Sequence, residues 1–296
     1  MLRILREQRG SVVVIVAFAM VCLLGFAALV VDVGQLYMTR AQLAAEADSS
    51  ALGGAVKLPE GTSQALAAAQ WYATSNGQPG DTVSTTIGGG NTSLTVNVSR
   101  TVNLLFAQVL GFVTKNVTAS ATATVTAVGS ADGVVPFGVV WDNYVFGQQV
   151  KLKVGGGDGD TGNYGALALG GKGGKNYTEN IQDGYEGTLS VGQWVTTETG
   201  NMAGPTDTGV DYRVKRDPDA TYDTVRPDSP RVIVVPVLES FNVNGRGEVH
   251  IVGFATFFLE GSVKGEVTGR FVRTYSNKTS PGNGTNYGFF NIRLTQ

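Results

Sequence analysis

The stretch SVVVIVAFAMVCLLGFAALVV, Ser11 to Val31, carries no charge, and Arg3, Arg6 and Arg9 stand directly before it. A hydrocarbon layer about 30 Å thick needs roughly 20 apolar residues of helix to cross it. The stretch has that length and holds thirteen side chains of the Val, Ile, Leu and Phe types. Together these favour insertion by about 4 to 8 kcal/mol, an upper bound because end positions count for less. The reading is a cytoplasmic N-terminus over 1–10 and a transmembrane helix over 11–33. Glu7 offsets only one of the three arginines, and the other flank has Asp32 and then only Arg40 before Glu46. Lys/Arg excess marks the cytoplasmic side, so a single-pass protein with its bulk extracytoplasmic is expected. The alternative is a cleaved secretion signal, whose apolar region is usually about 7 to 15 residues with an A-x-A-like site behind it. Here the run is longer, and Ala17-Phe18-Ala19 lies inside it.

Beyond the span, Gln35–Val56 carries Leu36, Leu43, Ala44, Ala47, Ala51 and Ala55, with no proline until Pro59. Ala, Leu, Gln and Glu are strong helix formers. One continuous helix is expected from Ser11 to Leu52, breaking at Gly53-Gly54. Ala47, Ala51 and Ala55 recur every four residues, as do Ala41 and Ala45. Small residues at that spacing let two helices approach closely. The stripe serves either the chain's own domain or another molecule.

A small α/β unit over 34–130 follows. Thr62 or Ser63 is placed to cap a helix with Leu66, Ala69, Trp71 and Tyr72 that ends at Asn76-Gly77. Strands are expected over 82–87 and 93–98, joined by Gly88-Gly89-Gly90-Asn91. Asn103 would cap a short helix over 104–110, closed by Gly111. Val117, Ala119, Ala121, Ala123 and Val125 then alternate with Thr and Ser, the period of a strand.

From 131 to 296 the chain reads as a glycine-rich all-β domain, a barrel or sandwich, with candidate strands at 138–141, 149–154, 166–169, 187–191, 231–238, 248–259 and 266–272. Pro236 is expected at an edge or strand end. The run Gly253–Leu259, the most apolar outside the span, is read as a core strand rather than an exposed patch. Asp211–Pro230 is read as an exposed loop. The fold class is therefore α+β: a long transmembrane and stalk helix, a small α/β unit and a β domain.

Gly10-Ser11, the apolar run and AALVVDVGQLYMTRAQLAAEADSSALGGA (Ala27–Ala55) resemble the N-terminal segment of TadG-like (TadE/TadG-like) proteins of the Flp pilus system. Asp32, Gly34, Tyr37, Leu43, Asp48, Ala51 and Leu52 fall where that family's pattern places them. Ala44 departs from it, standing where the family often has glutamine. NLLFAQVLGF and VTASATATV resemble the family's continuation, and GNYGALALGG with GNMAGPT resembles a glycine-rich module of such proteins. The resemblance implies a membrane-anchored, non-enzymatic component of pilus assembly. Its partners would be other Tad/Flp membrane proteins or pilins, together with membrane lipid. Asp32, Tyr37, Leu43 and Asp48, with the stripe Ala47, Ala51 and Ala55, are the candidate interaction residues. Pilin-type subunits carry a glutamate five residues after the processed glycine, and Ile15 holds that place here, which argues against a major pilin.

Other classes are weighed by their chemistry. The net charge of −2 gives no footprint for nucleic acid. His250 is the single histidine and Cys22, inside the span, the single cysteine, so His-based zinc, thiol and Ser-His-Asp sites are not expected. Glu179, Asp183, Glu186 and Glu198 supply carboxylates for a tethered wall hydrolase, but no catalytic pair can be singled out among them. No G-K-[ST] follows the glycine-rich loops, so no nucleotide cofactor is expected. Asp158, Asp160 and Asn163 can offer oxygen ligands to calcium, although Gly with Asp is also ordinary turn chemistry. A minor pilin or surface adhesin held in a filament remains the alternative to an assembly component.

Overall fold

The computed structural model describes residues 8–153, 165–243, 245–276 and 279–295. The chain folds as two compact units, one of residues 1–124 with 294–296 and one of residues 125–293.

The first unit is organised by α1 (Gln8–Lys57), a single helix of 50 residues. Val12 to Val31 are exposed apolar residues along almost the whole run, whereas Leu43, Ala47, Ala51 and Ala55 are fully buried. The buried stripe meets Ala65, Ala69 and Ala73 of α2 (Thr62–Asn76), also buried. The alanine spacing thus serves contact inside the unit. The expected break at Gly53-Gly54 does not occur, and α1 runs on to Lys57. These glycines are sites of close approach. A Cβ on Gly54 would lie 2.8 Å from the Ala69 Cβ and 2.9 Å from Leu94 Cδ1, and one on Gly53 would enter the Tyr72 ring. Glycine costs a helix about 1 kcal/mol relative to alanine, which packing readily overrides. The helix ends where Gly61 N–H bonds back to the Lys57 and Leu58 carbonyls. Gly61, not Thr62 or Ser63, occupies the cap position of α2, with no side-chain cap bond.

An antiparallel meander completes this unit: β1 (Thr82–Gly88), β2 (Ser93–Asn103) and β3 (Thr114–Ala131), the last as far as Thr124. Leu94, Val96 and Val98 pair with Ala123, Ala121 and Ala119, and the three apolar β2 side chains are buried. Between β2 and β3 the expected helix over 104–110 is only a 3₁₀ turn, Ala107–Leu110, closed by Gly111 at φ 89°. Asn103 makes no cap bond there.

The second unit is built on a sheet in the order β4 (Val139–Val140), β9 (Val232–Leu238), β10 (Glu248–Val263), β11 (Glu266–Val272) and β5 (Gln149–Lys153). The expected core strand is one: Phe254, Ala255, Phe257, Phe258 and Leu259 of β10 are all buried. Pro236 lies within β9, opposite Phe254, and not at its end. The missing N–H is tolerated because β4 on the other side pairs only with Val237 and Leu238. Short strands β6 (Leu167–Ala168) and β8 (Trp194–Thr197) join β10, while β7 (Leu189–Ser190) and β13 (Ser280–Gly282) pair with residues 127–131 of β3. β12 (Thr274–Ser276) runs parallel to β14 (Phe289–Thr295).

This unit is rich in strands, but the all-β expectation is corrected by two helices, α3 (Gly174–Asp183) and α4 (Ala203–Arg216). Both are short: α3 shows its buried face through only two large apolar residues, Tyr177 and Ile181, and α4 buries Thr206, Gly209, Val210 and Arg213, a mostly non-apolar set. Tyr177 and Ile181 of α3 and Val210 of α4 join Phe137, Phe257 and Phe271 in the core. Gly209 lets the helices touch, since a Cβ there would meet Ile181 at 2.6 Å. The loop expected from Asp211 onward therefore begins only after Arg216.

Replacing Ala51 by leucine overpacks the α1–α2 contact, where no volume is free. The expected loss is roughly 1 to 3 kcal/mol of first-unit stability. Ala45→Leu, on the exposed side of the same helix, should leave the unit unchanged. Thermal denaturation of the detergent-solubilised protein compares the two; equal melting temperatures would disprove the close contact.

Candidate functional site

The first cluster sits where α1 changes from exposed to buried. Asp32 is 4% exposed. Its Oδ1 accepts from the Leu105 N–H at 2.8 Å and its Oδ2 from the Ala107 N–H at 2.7 Å, while the Phe106 N–H lies 3.3 and 3.1 Å from the two oxygens. Three successive backbone donors converging on one carboxylate form an anion-holding concavity, here filled from within the chain. Asp32 is thus the cap of the turn after β2, where sequence spacing had placed Asn103. A solvated carboxylate at the end of the span is not what the structure contains.

The other candidate interaction residues divide by burial. Leu43, Ala47, Ala51 and Ala55 are consumed inside the first unit. Asp48 is half-buried. Tyr37 is 76% exposed, next to exposed Met38, and nothing lies within 4 Å of where a Gly34 Cβ would be. Asp158, Asp160 and Asn163 lie outside the described residues. Among the described residues no group of three or more His, Cys, Asp and Glu is placed to hold a metal.

A second cluster went unseen in the sequence. Glu46, on the alanine face of α1, is 2% exposed, and neither of its carboxyl oxygens has a hydrogen-bond donor. It lines a cleft of ≈ 290 Å³ with Ala73, Gly77 and Asp81. Arg100 of β2 grips Asp81 through Nε at 2.6 Å and Nη2 at 2.7 Å, and its Nη1 donates to Gln42 of α1 at 2.9 Å. Burial pushes the Glu46 carboxyl up from 4.5 to about 7, the Asp81 carboxylate adds to the rise, and Arg100 offsets part of it. The Arg100 bond holds Asp81 below the usual carboxylate range. Protonated, Glu46 is compatible with Asp81; ionised, it is a buried charge facing another. A carboxylate on an otherwise small, apolar helix face was the signal available in the sequence.

In the second unit the polar groups serve the fold. Glu198 accepts from the Gly173 N–H at 2.6 Å and faces Arg246 Nη2 at 3.3 Å. Glu179 pairs with exposed Lys175 at 3.8 Å. Lys153 donates to the Asn201 and Gly265 carbonyls at 2.7 and 3.0 Å, and burial pulls it down to about 8. His250 lies 3.1 Å from Glu239 and packs on Trp194.

The Glu46 site has a pH signature. Between pH 4.5 and about 7 the folded state keeps a proton that the unfolded chain has released. Its contribution is therefore full below that window and is lost as pH rises through it, on the order of 3 kcal/mol in all. Amide exchange of α2, corrected for intrinsic rates, should be faster at pH 8 than at pH 5. Glu46→Gln should make protection nearly independent of pH over that range; a wild-type protein with no such dependence would refute the assignment.

Compared with known proteins, no curated protein and no solved structure matches this chain. Residues 10–57 match the family model of putative Flp pilus-assembly TadE/G-like proteins. The match spans nearly the whole of α1, from its apolar half through Asp32 and Glu46 to its last residue. Through that helix the chain is similar to the TadE/G-like proteins of Flp pilus assembly, the family its N-terminal motif resembles.

Proposed function

We propose that this protein is a single-pass, non-enzymatic membrane component of Flp/Tad-type pilus assembly, with its N-terminus cytoplasmic and both folded units outside. The observation that carries the reading is the coincidence of the family segment with α1. One half of that helix is uncharged, long enough to span a bilayer and exposed, and the other half is the core of a folded unit. The arginines before the span support the orientation. Glu198, the buried carboxylate among the described residues of the second unit, is held by the Gly173 N–H and Arg246, which supports a non-enzymatic role. Its partners are other Tad/Flp membrane proteins or pilins. Tyr37 is the candidate contact residue best suited to meet one, because it is exposed just beyond the span.

Three measurements test this together. The full-length protein should stay with the membrane after alkaline extraction. A tag on the N-terminus should resist protease added outside intact cells, whereas a cysteine at exposed Ser84 should react with an impermeant maleimide. A photocrosslinker replacing Tyr37 should capture another pilus-assembly membrane protein. Release into the medium, or a reversed labelling pattern, would overturn the anchoring and orientation. Recovery in sheared filaments would select the minor pilin or adhesin instead.

A further inference from the structure

The segment after β2 places large apolar side chains outward. Leu105 is 60% exposed, Phe106 47%, Val109 90%, Phe112 65% and Val113 57%. A folded domain in water rarely shows so dense an apolar patch without a use for it. The patch is not at an arbitrary place. Phe106, Ala107 and Val109 line a cleft of ≈ 260 Å³ with Gly25, Ala28, Leu29 and Asp32 of α1. The turn therefore lies along the two helical turns that precede Asp32, about 10 Å of the helix axis. Those turns belong to the uncharged span.

We propose that residues 104–113 insert into the outer leaflet beside α1, as a second element of the membrane anchor. The inference rests on the reading of α1 as a membrane span. Its occupant is lipid, for three reasons. The patch is continuous with the exposed apolar surface of the span. Seven of its N–H groups are already bonded, as backbone in hydrocarbon requires: Asp32 takes those of Leu105, Phe106 and Ala107, the Leu104 N–H reaches the Val113 carbonyl at 2.9 Å, and those of Val109, Gly111 and Phe112 bond within the turn. The side chain of Gln108, polar and inside the segment, folds back onto the Leu104 carbonyl. The flanks change character at once: Asn103, Thr114 and Lys115 are exposed and polar, as fits a chain re-entering the headgroup region.

On this arrangement Asp32 has a defined task. It lets a non-helical backbone enter a membrane, because its carboxylate replaces the water that three N–H groups would otherwise need. The carboxylate in turn is held by those donors at a depth where an unpaired charge is costly.

The test uses the full chain in vesicles of phosphatidylcholine and phosphatidylglycerol. Native Cys22 is replaced by alanine, and single cysteines at Val109, Leu23 and Ser84 carry an environment-sensitive fluorophore. Val109 is almost fully exposed, so its replacement leaves packing intact. Blue-shifted emission at Val109, quenched severalfold more by a nitroxide near the headgroup than by one at the bilayer centre, is the expected result, with Ser84 unquenched. Adding Asp32→Asn, which removes one acceptor and presents an amide to the donors, should return the Val109 probe toward water while Leu23 stays quenched. A Val109 probe in water beside a quenched Leu23 would overturn the proposal and leave the anchor standing. An unquenched Leu23 would overturn the anchor itself. Shielding of Val109 only in native membranes, and not in pure lipid, would mean that a protein covers the patch, and the proposal would fail.

Discussion

One helix carries two different surfaces without a break. The 50 residues of α1 make a rod about 75 Å long. Its first half offers apolar side chains on every face, as lipid requires, and its second half offers one narrow face of alanines to a protein core. A joint between the halves would let the folded unit swing about the span. There is none, so the direction of the folded half is set by the helix itself. Asp32, the first fully buried side chain on the described helix, marks the boundary. It is buried by its own chain, through three backbone donors 73 to 75 residues away in sequence. That bond ties the β2–β3 connection to the point where α1 changes from exposed to buried.

The second half of α1 depends on the absence of bulk. Ala47, Ala51 and Ala55 against Ala65, Ala69 and Ala73 bring the two helices close, and Gly54 lets both Ala69 and Leu94 reach the helix backbone. Such a contact buries little area per residue, so its strength lies in close packing rather than in large side chains. Glu46 matters for that reason: a carboxyl beside that interface has no hydrogen-bond donor from the chain, and it meets Asp81, whose own charge is already committed to Arg100. Glu46 holds its place most comfortably with a proton on it. The stability of the junction of α1, α2 and the sheet is therefore expected to fall as pH rises toward neutrality.

The parts legible in sequence were those with a strong period or a strong length. The span, the alanine stripe, the alternating β3 and the apolar β10 all declare themselves, because each repeats one side-chain type at the period of its element. What stayed hidden has physical reasons. Gly53-Gly54 looks like a stop because glycine is a poor helix former, yet here it answers a tertiary demand that local propensity cannot express. α3 marks its buried face with only Tyr177 and Ile181, and α4 buries Thr206, Gly209, Val210 and Arg213, too few apolar residues for either to be read as a helix. Asn103 was the local choice for a cap, and a distant carboxylate took the role. Asp32 could be located by its place after the apolar run, but its partners could not, since backbone N–H groups leave no trace in residue identity. The Glu46–Asp81–Arg100 cluster joins a helix, a turn and a strand, and such convergence exists only after folding.

The resemblance to a family and the geometry divide the motif differently. A shared motif in a pilus component invites the view that each of its residues touches a partner. Here Leu43 and Ala51 face the chain's own core, and Asp32 holds the chain's own backbone. These residues are accounted for by what they do within the fold, so a defect on changing one of them would follow from loss of the first unit's shape alone. Gly34 and Tyr37 differ. Space is open beside the first and the second projects from the helix. They lie within one helical turn of each other, just past the boundary that Asp32 sets. The motif thus contains both the means of fixing the folded unit to the apolar half of α1 and a small free surface next to it. Because α1 is continuous, whatever meets that surface is held at a fixed distance from the apolar half of the helix.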